Sequence, residues 1–228
     1  MDYLPHHLWI LITRFGGAGL ALPLALAIAL WLVLGYTWRL AVLWLMLLGA
    51  AATLVAMTKI AFLGWGLGVR EIDFTGVSGH AMFSTAVYPV AFFVVLLPMR
   101  PIARLLGIVL GFALGVAVGC SRVALAAHSL SEVVAGCIVG ALAAVLFIKW
   151  SWAARLGQLA VAPVALSLLI LTVILHDVRV PTQQWVTHIA LHLSGRERPF
   201  IRAKWKAQRV ESVILEPQKR QAMKTIKM

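Results

Sequence analysis

Charge is scarce in this sequence. Asp, Glu, Lys and Arg make up 12% of its residues, against roughly 25% in a soluble domain. That shortage excludes an ordinary water-soluble globule, whose surface needs charge to stay hydrated. Strict apolar–polar alternation is also missing. The apolar residues come in continuous blocks instead, which disfavours a transmembrane β-barrel and favours membrane-spanning helices of about 20 residues. Cysteine is nearly absent: Cys120 and Cys137 lie in apolar surroundings with no CxxC pair. No disulfide framework follows from them, and both read as small buried hydrophobes. Residues 1–17 lack the basic start and clean apolar core of a cleaved signal, since His6, His7 and Arg14 interrupt them. They read as an amphipathic lead-in at the membrane interface. Internal repeats and low-complexity tracts are likewise missing.

What is present is hydrophobic. The share of apolar residues is 62%. Six apolar blocks stand out, at about 18–35, 38–60, 80–97, 103–120, 131–149 and 157–175. The fold class is therefore all-α, a polytopic membrane protein of about six transmembrane helices. Three parts are expected: the lead-in 1–17, a transmembrane domain 18–176 and a basic tail 177–228. The net charge of +12 would suggest nucleic acid in a soluble protein. Much of it lies after residue 177 here, and anionic membrane lipid is the simpler partner, with no nucleic acid involved. The tail reads as a solvated, membrane-skimming segment. A tail that reaches the reactive site is the weaker alternative.

Six spans sort the ionisable residues onto two faces. One receives Lys59, Arg70, Ser78, His80, Arg122, His128 and Glu132. The other receives Arg39, Arg100, Arg104, Lys149 and Arg155. The second set lies in short connections, where basic residues mark the cytoplasmic side. The first set then faces the periplasm or exterior of what reads as a bacterial inner membrane.

Singly, these polar residues have ordinary explanations. Lys59 can snorkel, Arg70, Glu71 and Asp73 suit a solvated loop, and His80 suits a helix start. Together they carry chemistry, because ionisable groups near membrane depth are costly and mark function. His128 and Glu132 are four apart, so on a helix they share a face. A carboxylate on one imidazole nitrogen fixes the tautomer and leaves the other free as a nucleophile. Ser78-Gly79-His80 opens an apolar block, where exposed N–H groups attract anions. Lys59, Arg70 and Arg122 add cations, and arginine's fork fits phosphate oxygens. Two histidines in an anion cradle suit phosphoryl transfer, one attacking and one protonating the leaving oxygen. No metal-ligand set is evident: His6 and His7 are adjacent, cannot share a helical face, and lack a third partner.

With these residues in place, the chain resembles the type-2 phosphatidic acid phosphatase (PAP2) superfamily, whose motifs are KxxxxxxRP, PSGH and SRxxxxxHxxxD. Ser121, Arg122 and His128 match the third at its spacing, with Glu132 for Asp. Ser78, Gly79 and His80 match the second, with Val77 for Pro. The first is altered: Arg70 follows Lys59 after eleven positions, not seven, and Glu71 replaces the proline. The resemblance covers residues 55–150 and implies a helical bundle working without metal or other cofactor. It further implies a lipid phosphate or diphosphate substrate, phosphate-binding by Lys59, Arg70, Ser78, Gly79 and Arg122, attack by His128, proton transfer by His80, and orientation of His128 by Glu132. Phosphatidic acid, phosphatidylglycerol phosphate, polyprenyl diphosphate and lipid A phosphates all fit. A lipid phosphotransferase and an inactive lipid-binding or transport protein are the alternatives. The oligomeric state is left open.

Overall fold

The computed structural model describes residues 5–35, 37–153, 161–178 and 180–203. Among these residues eight α-helices follow in order: α1 (His6–Arg14), α2 (Ala18–Gly35), α3 (Trp38–Trp65), α4 (Gly79–Leu96), α5 (Pro101–Ala124), α6 (Leu130–Ser151), α7 (Val161–Leu175) and α8 (Thr182–Ser194). No strand occurs among the described residues, only an isolated bridge between Val69 and Phe74. Among the described residues, five stretches are long and apolar enough to cross a membrane: the nearly continuous run His6–Gly35, then α3, α4, α5 and α6. Helix α7 is apolar but shorter. The all-α bundle of about six membrane helices expected from the sequence is what forms.

Helix α4 is the axis of the bundle and packs against α2, α3, α5, α6 and α7. Its partners approach closely because they present glycine. Along α5, Gly107, Gly111, Gly115 and Gly119 recur every fourth residue and form one stripe. A Cβ on Gly111 would strike the Pro89 backbone, and one on Gly115 would strike Thr85. Gly136 and Gly140 of α6 meet α4 beside them, at the backbone of Ser78 and Met82, and both helices reach Thr85. Water provides no driving force between helices in lipid, so this close backbone packing holds the bundle together. Hydroxyls inside it bond locally: Ser84 Oγ donates to the His80 carbonyl at 2.7 Å, and Thr85 Oγ1 to the Ala81 carbonyl at 2.7 Å. Trp44, fully buried, donates its indole N–H to the Ala25 carbonyl at 3.0 Å and ties α3 to α2. Outward-facing Leu26, Leu30, Met46, Leu106 and Leu142 are exposed, as a lipid-facing surface requires.

Two helix ends differ from the sequence reading. Helix α3 continues past Lys59 to Trp65, because no breaker intervenes before Gly66, which adopts φ 71°. Lys59 thus lies within a helix, not at its end. Helix α5 continues to Ala124 and stops at Ala126, in the left-handed region at φ 51°. Arg122 therefore sits in the last turn. Arg39, Arg100 and Lys149 lie at the ends of α3, α5 and α6 remote from Lys59, Arg122 and Glu132, while Arg155 falls outside the described residues. After α7 the chain is back at the Lys59 end. Asp177 pairs with Arg14 at 3.4 Å, and the His176 ring stacks near Phe15.

Candidate active site

The turn between α5 and α6 brings His128 onto Glu132. The Arg122 carbonyl accepts from the N–H groups of Ala127 and His128, at 3.0 and 3.3 Å. This bond carries the chain from the arginine directly to the histidine. Ser129 then caps α6. Its hydroxyl accepts from the Glu132 N–H at 3.4 Å, and Glu132 Oε2 accepts from the Ser129 N–H at 3.3 Å, forming a capping box. The same oxygen lies 2.6 Å from His128 Nδ1. Glu132 is fully buried, and Oε1 accepts from the Thr75 N–H at 2.8 Å, the Thr75 hydroxyl at 2.5 Å and the Arg202 guanidinium. One carboxylate thus serves helix cap, histidine and loop together.

Burial pushes the His128 pKa below its ordinary value, against the opposing pull of the Glu132 carboxylate. The ring is accordingly neutral near pH 7, with Nδ1–H donated to Glu132 and Nε2 carrying the lone pair.

His128 opens onto a cavity of about 570 Å³, which Lys59, Gly79, His80 and Arg122 also line. Gly79 and His80 lie at the first turn of α4, whose N-cap, Ser78, makes no side-chain capping bond. The backbone N–H groups there are available to an anion. Gly16 crosses His80 so closely that a Cβ would lie 3.1 Å from the His80 Cβ. Lys59 Nζ donates to Gln183 Oε1 of α8 at 3.3 Å. Arg122 Nη1 donates to Thr13 Oγ1 of α1 at 2.9 Å, while its Nε is buried without a partner among the described residues. Phe62, Leu63 and Phe83 add an apolar wall.

Two of the expected phosphate ligands lie elsewhere. Arg70 is exposed and does not line the cavity. The Val69–Phe74 bridge, the 3-10 turn Arg70–Ile72 and the left-handed Asp73 fold its loop into a tight hairpin that carries Arg70 outward. Ser78 sits behind the lining, fully buried, its N–H donating to the Glu132 carbonyl at 3.1 Å. Its hydroxyl has no partner among the described residues.

Sequence reasoning missed Thr13, Thr75, Gln183 and, above all, Arg202. A membrane-skimming tail was the main expectation and a tail reaching the site the weaker one; Arg202 lines the cavity, as in the weaker one, while residues 204–228 of the tail lie outside the described residues. One signal was available. The Arg-Pro pair missing downstream of Lys59 occurs at Arg198-Pro199, shortly before Arg202. It also occurs at Arg100-Pro101, at the far end of the bundle, so the pair alone could not discriminate. Nothing in the sequence marks Thr13, Thr75 or Gln183.

The PAP2 superfamily profile matches residues 66–156. Ser78, Gly79, His80, Arg122, His128 and Glu132 fall inside this match, whereas Lys59 and Arg202 fall outside it. An uncharacterized 22.5 kDa protein in the cps region of Klebsiella pneumoniae is 35% identical over 199 residues, which span 85% of this chain and 95% of that protein. Among solved structures, the chain is similar to the first transmembrane PAP2-type phosphatidylglycerolphosphate phosphatase, from Bacillus subtilis. The identity is 26% and the TM-score 0.51, with 66% of this chain and 79% of that chain covered.

Proposed function

This chain belongs to the PAP2 superfamily, and from that premise we propose that it is an integral membrane phosphatase acting on a lipid phosphate monoester or diphosphate through a phosphohistidine at His128. The observation that carries the reading is the His128–Glu132 contact at 2.6 Å, beside a cavity that Lys59, His80 and Arg122 also line. It supplies an oriented neutral imidazole next to cations suited to a phosphoryl group.

In this reading the phosphoryl oxygens rest against Lys59, Arg122 and the N–H groups at the start of α4, with the buried Arg122 Nε as a spare donor. Arg70 and Ser78 are left out of the cradle for the reasons of position given above. His128 Nε2 attacks phosphorus while the ester oxygen departs and takes a proton from His80. Glu132 holds the Nδ1 proton and balances the charge on the ring. Water then attacks phosphorus with His80 as base, breaking the P–N bond, releasing phosphate and restoring His128. Phe62, Leu63 and Phe83 suit the first carbons of an apolar leaving group. Chemistry of this kind needs no metal ion. With Arg39, Arg100 and Lys149 at the opposite end, the site faces the periplasm or exterior.

The test is a panel of lipid phosphates and diphosphates presented to detergent-solubilised protein in the presence of a strong chelator. Free phosphate and lipid products are both measured. Phosphate release that disappears in His128→Ala supports the reading. A phosphorylated acceptor lipid in its place would make the protein a transferase. Failure with every substrate would leave a lipid-binding protein on this scaffold.

A further inference from the structure

The least expected feature of the site is the guanidinium of Arg202. The segment that delivers it is built into the bundle. Helix α8 packs along α3, and Gly64 leaves room for it: a Cβ there would lie 3.1 Å from the Ala190 carbonyl. Beyond α8 the chain turns at Gly195, φ 65°, and runs back over the end of α3. The Phe200 N–H donates to the Leu63 carbonyl at 2.9 Å. The Phe200 ring lies on Gly66, where a Cβ would come within 2.9 Å of it, and Arg196 stacks over the ring at 4.3 Å. Two residues later Arg202 reaches the site. It donates to Glu132 Oε1 and to the Thr75 hydroxyl, the latter at 2.9 Å, and its Nε lies 3.7 Å from Asp73 Oδ1.

We propose that Arg202 is a positioning residue for the reaction, holding the buried Glu132 carboxylate so that its second oxygen is presented to His128. This rests on the phosphohistidine reading above. The physical reason is the division of labour on the carboxylate. Glu132 is fully buried, and a buried carboxylate is tolerated only when paired and hydrogen-bonded. Arg202 and both donors of Thr75 occupy Oε1, which pins the carboxyl plane and leaves Oε2 to His128 Nδ1 and the Ser129 N–H. The Thr75 hydroxyl accepts from Arg202, so its own proton is directed onto Glu132. The segment through Arg202 is therefore part of the reactive centre, and the site is complete only when that segment has docked.

The test compares full-length wild type, Arg202→Ala, Arg202→Lys and His128→Ala on dioctanoyl phosphatidic acid in detergent micelles. Loss of a charge-assisted bond to a buried group predicts a fall in kcat of about 10- to 100-fold in Arg202→Ala, larger than any rise in KM from losing a cation of the cavity lining. Arg202→Lys should recover part of the loss. Added guanidinium should partly restore Arg202→Ala and leave His128→Ala dead, a response that loss of folding would not give. Wild-type kcat in Arg202→Ala, beside a dead His128→Ala, would overturn the proposal and leave the proposed function standing. An inactive wild type would instead sink the proposed function. Arg202 is then judged by ¹⁵N shifts of the His128 ring, assigned against His128→Ala, which need no turnover. A changed balance between the two ring nitrogens in Arg202→Ala supports the positioning role, and unchanged shifts overturn it.

Discussion

Glu132→Gln keeps the shape of the carboxylate and removes its charge, so it isolates what that charge does. The amide has one acceptor and one donor end and must choose how to sit. Oε1 faces two donors that cannot reverse, the Thr75 N–H and Arg202. Oε2 faces one, the Ser129 N–H at 3.3 Å, together with the histidine ring, which can change tautomer. The amide oxygen therefore settles at the Oε1 position and the NH₂ group turns toward His128. Nδ1 must then accept, the proton moves to Nε2, and the attacking lone pair is lost. Regaining the productive tautomer means setting donor against donor, at about 1–3 kcal/mol, or about 10- to 100-fold in population. Replacing a charge-assisted bond with a neutral one beside the developing imidazolium adds about one to two further decades. The expected loss in kcat is about 10²- to 10⁴-fold, in line with the roughly 10⁴-fold known for a His–carboxylate pair deprived of its charge. Glu132 does not line the cavity, so KM should stay within about twofold. Rapid-quench measurement of acid-labile phosphoprotein, with steady-state phosphate release, reads both steps. Turnover at the wild-type rate would refute the tautomer argument.

Four further outcomes are expected. Because burial lowers the His128 pKa, the ring stays neutral as pH falls through about 6.5, the ordinary histidine value. The acid limb of kcat/KM should therefore lie below that pH, and a limb centred above 7 would contradict the assignment. His80→Ala should keep more activity on an aryl phosphate with a low-pKa phenol than on a lipid phosphate, since a good leaving group needs no acid. His128→Ala should be dead on both, and equal rescue of the two variants would mean the roles are misassigned. Gly140→Leu should lower the melting temperature in detergent, because its Cβ would collide with the Met82 carbonyl and the Thr85 hydroxyl, at about 1–3 kcal/mol. Gly49→Leu, with open space around it, is the control, and equal melting would break the packing argument. A cysteine at the exposed Leu67, with Cys120 and Cys137 replaced, should label in intact cells, and labelling only after the membrane is opened would invert the orientation.

The membrane bundle was legible in the sequence because lipid leaves the backbone few choices. Continuous apolar blocks must be helices, and α2 and α4 fall within a residue of where hydropathy put them. Proximity of His128 to Glu132 was legible for a similar reason. Four residues along one helical turn is a local geometry that the chain satisfies wherever the helix is placed. The glycine spacing of α5 was there to be read as well, although which helix it faces could not be.

What the tertiary structure alone decided is which distant groups meet at that local pair. Lys59 of α3, His80 of α4 and Arg122 of α5 come together in a bundle where the glycines of α5 and α6 let both helices pack closely on α4. The motif likeness suggested Arg70 as a ligand despite its altered spacing from Lys59, but the hairpin closed by the Val69–Phe74 bridge turns it outward. Arg202 enters from the opposite direction, 70 positions from Glu132 in the chain. No local rule connects residues that far apart. Their contact exists only because α7 returns the chain across the bundle and α8 docks on α3. Helix formation depends on near neighbours along the chain and so can be read from them, whereas charge pairing in a buried site depends on packing that only the whole fold supplies.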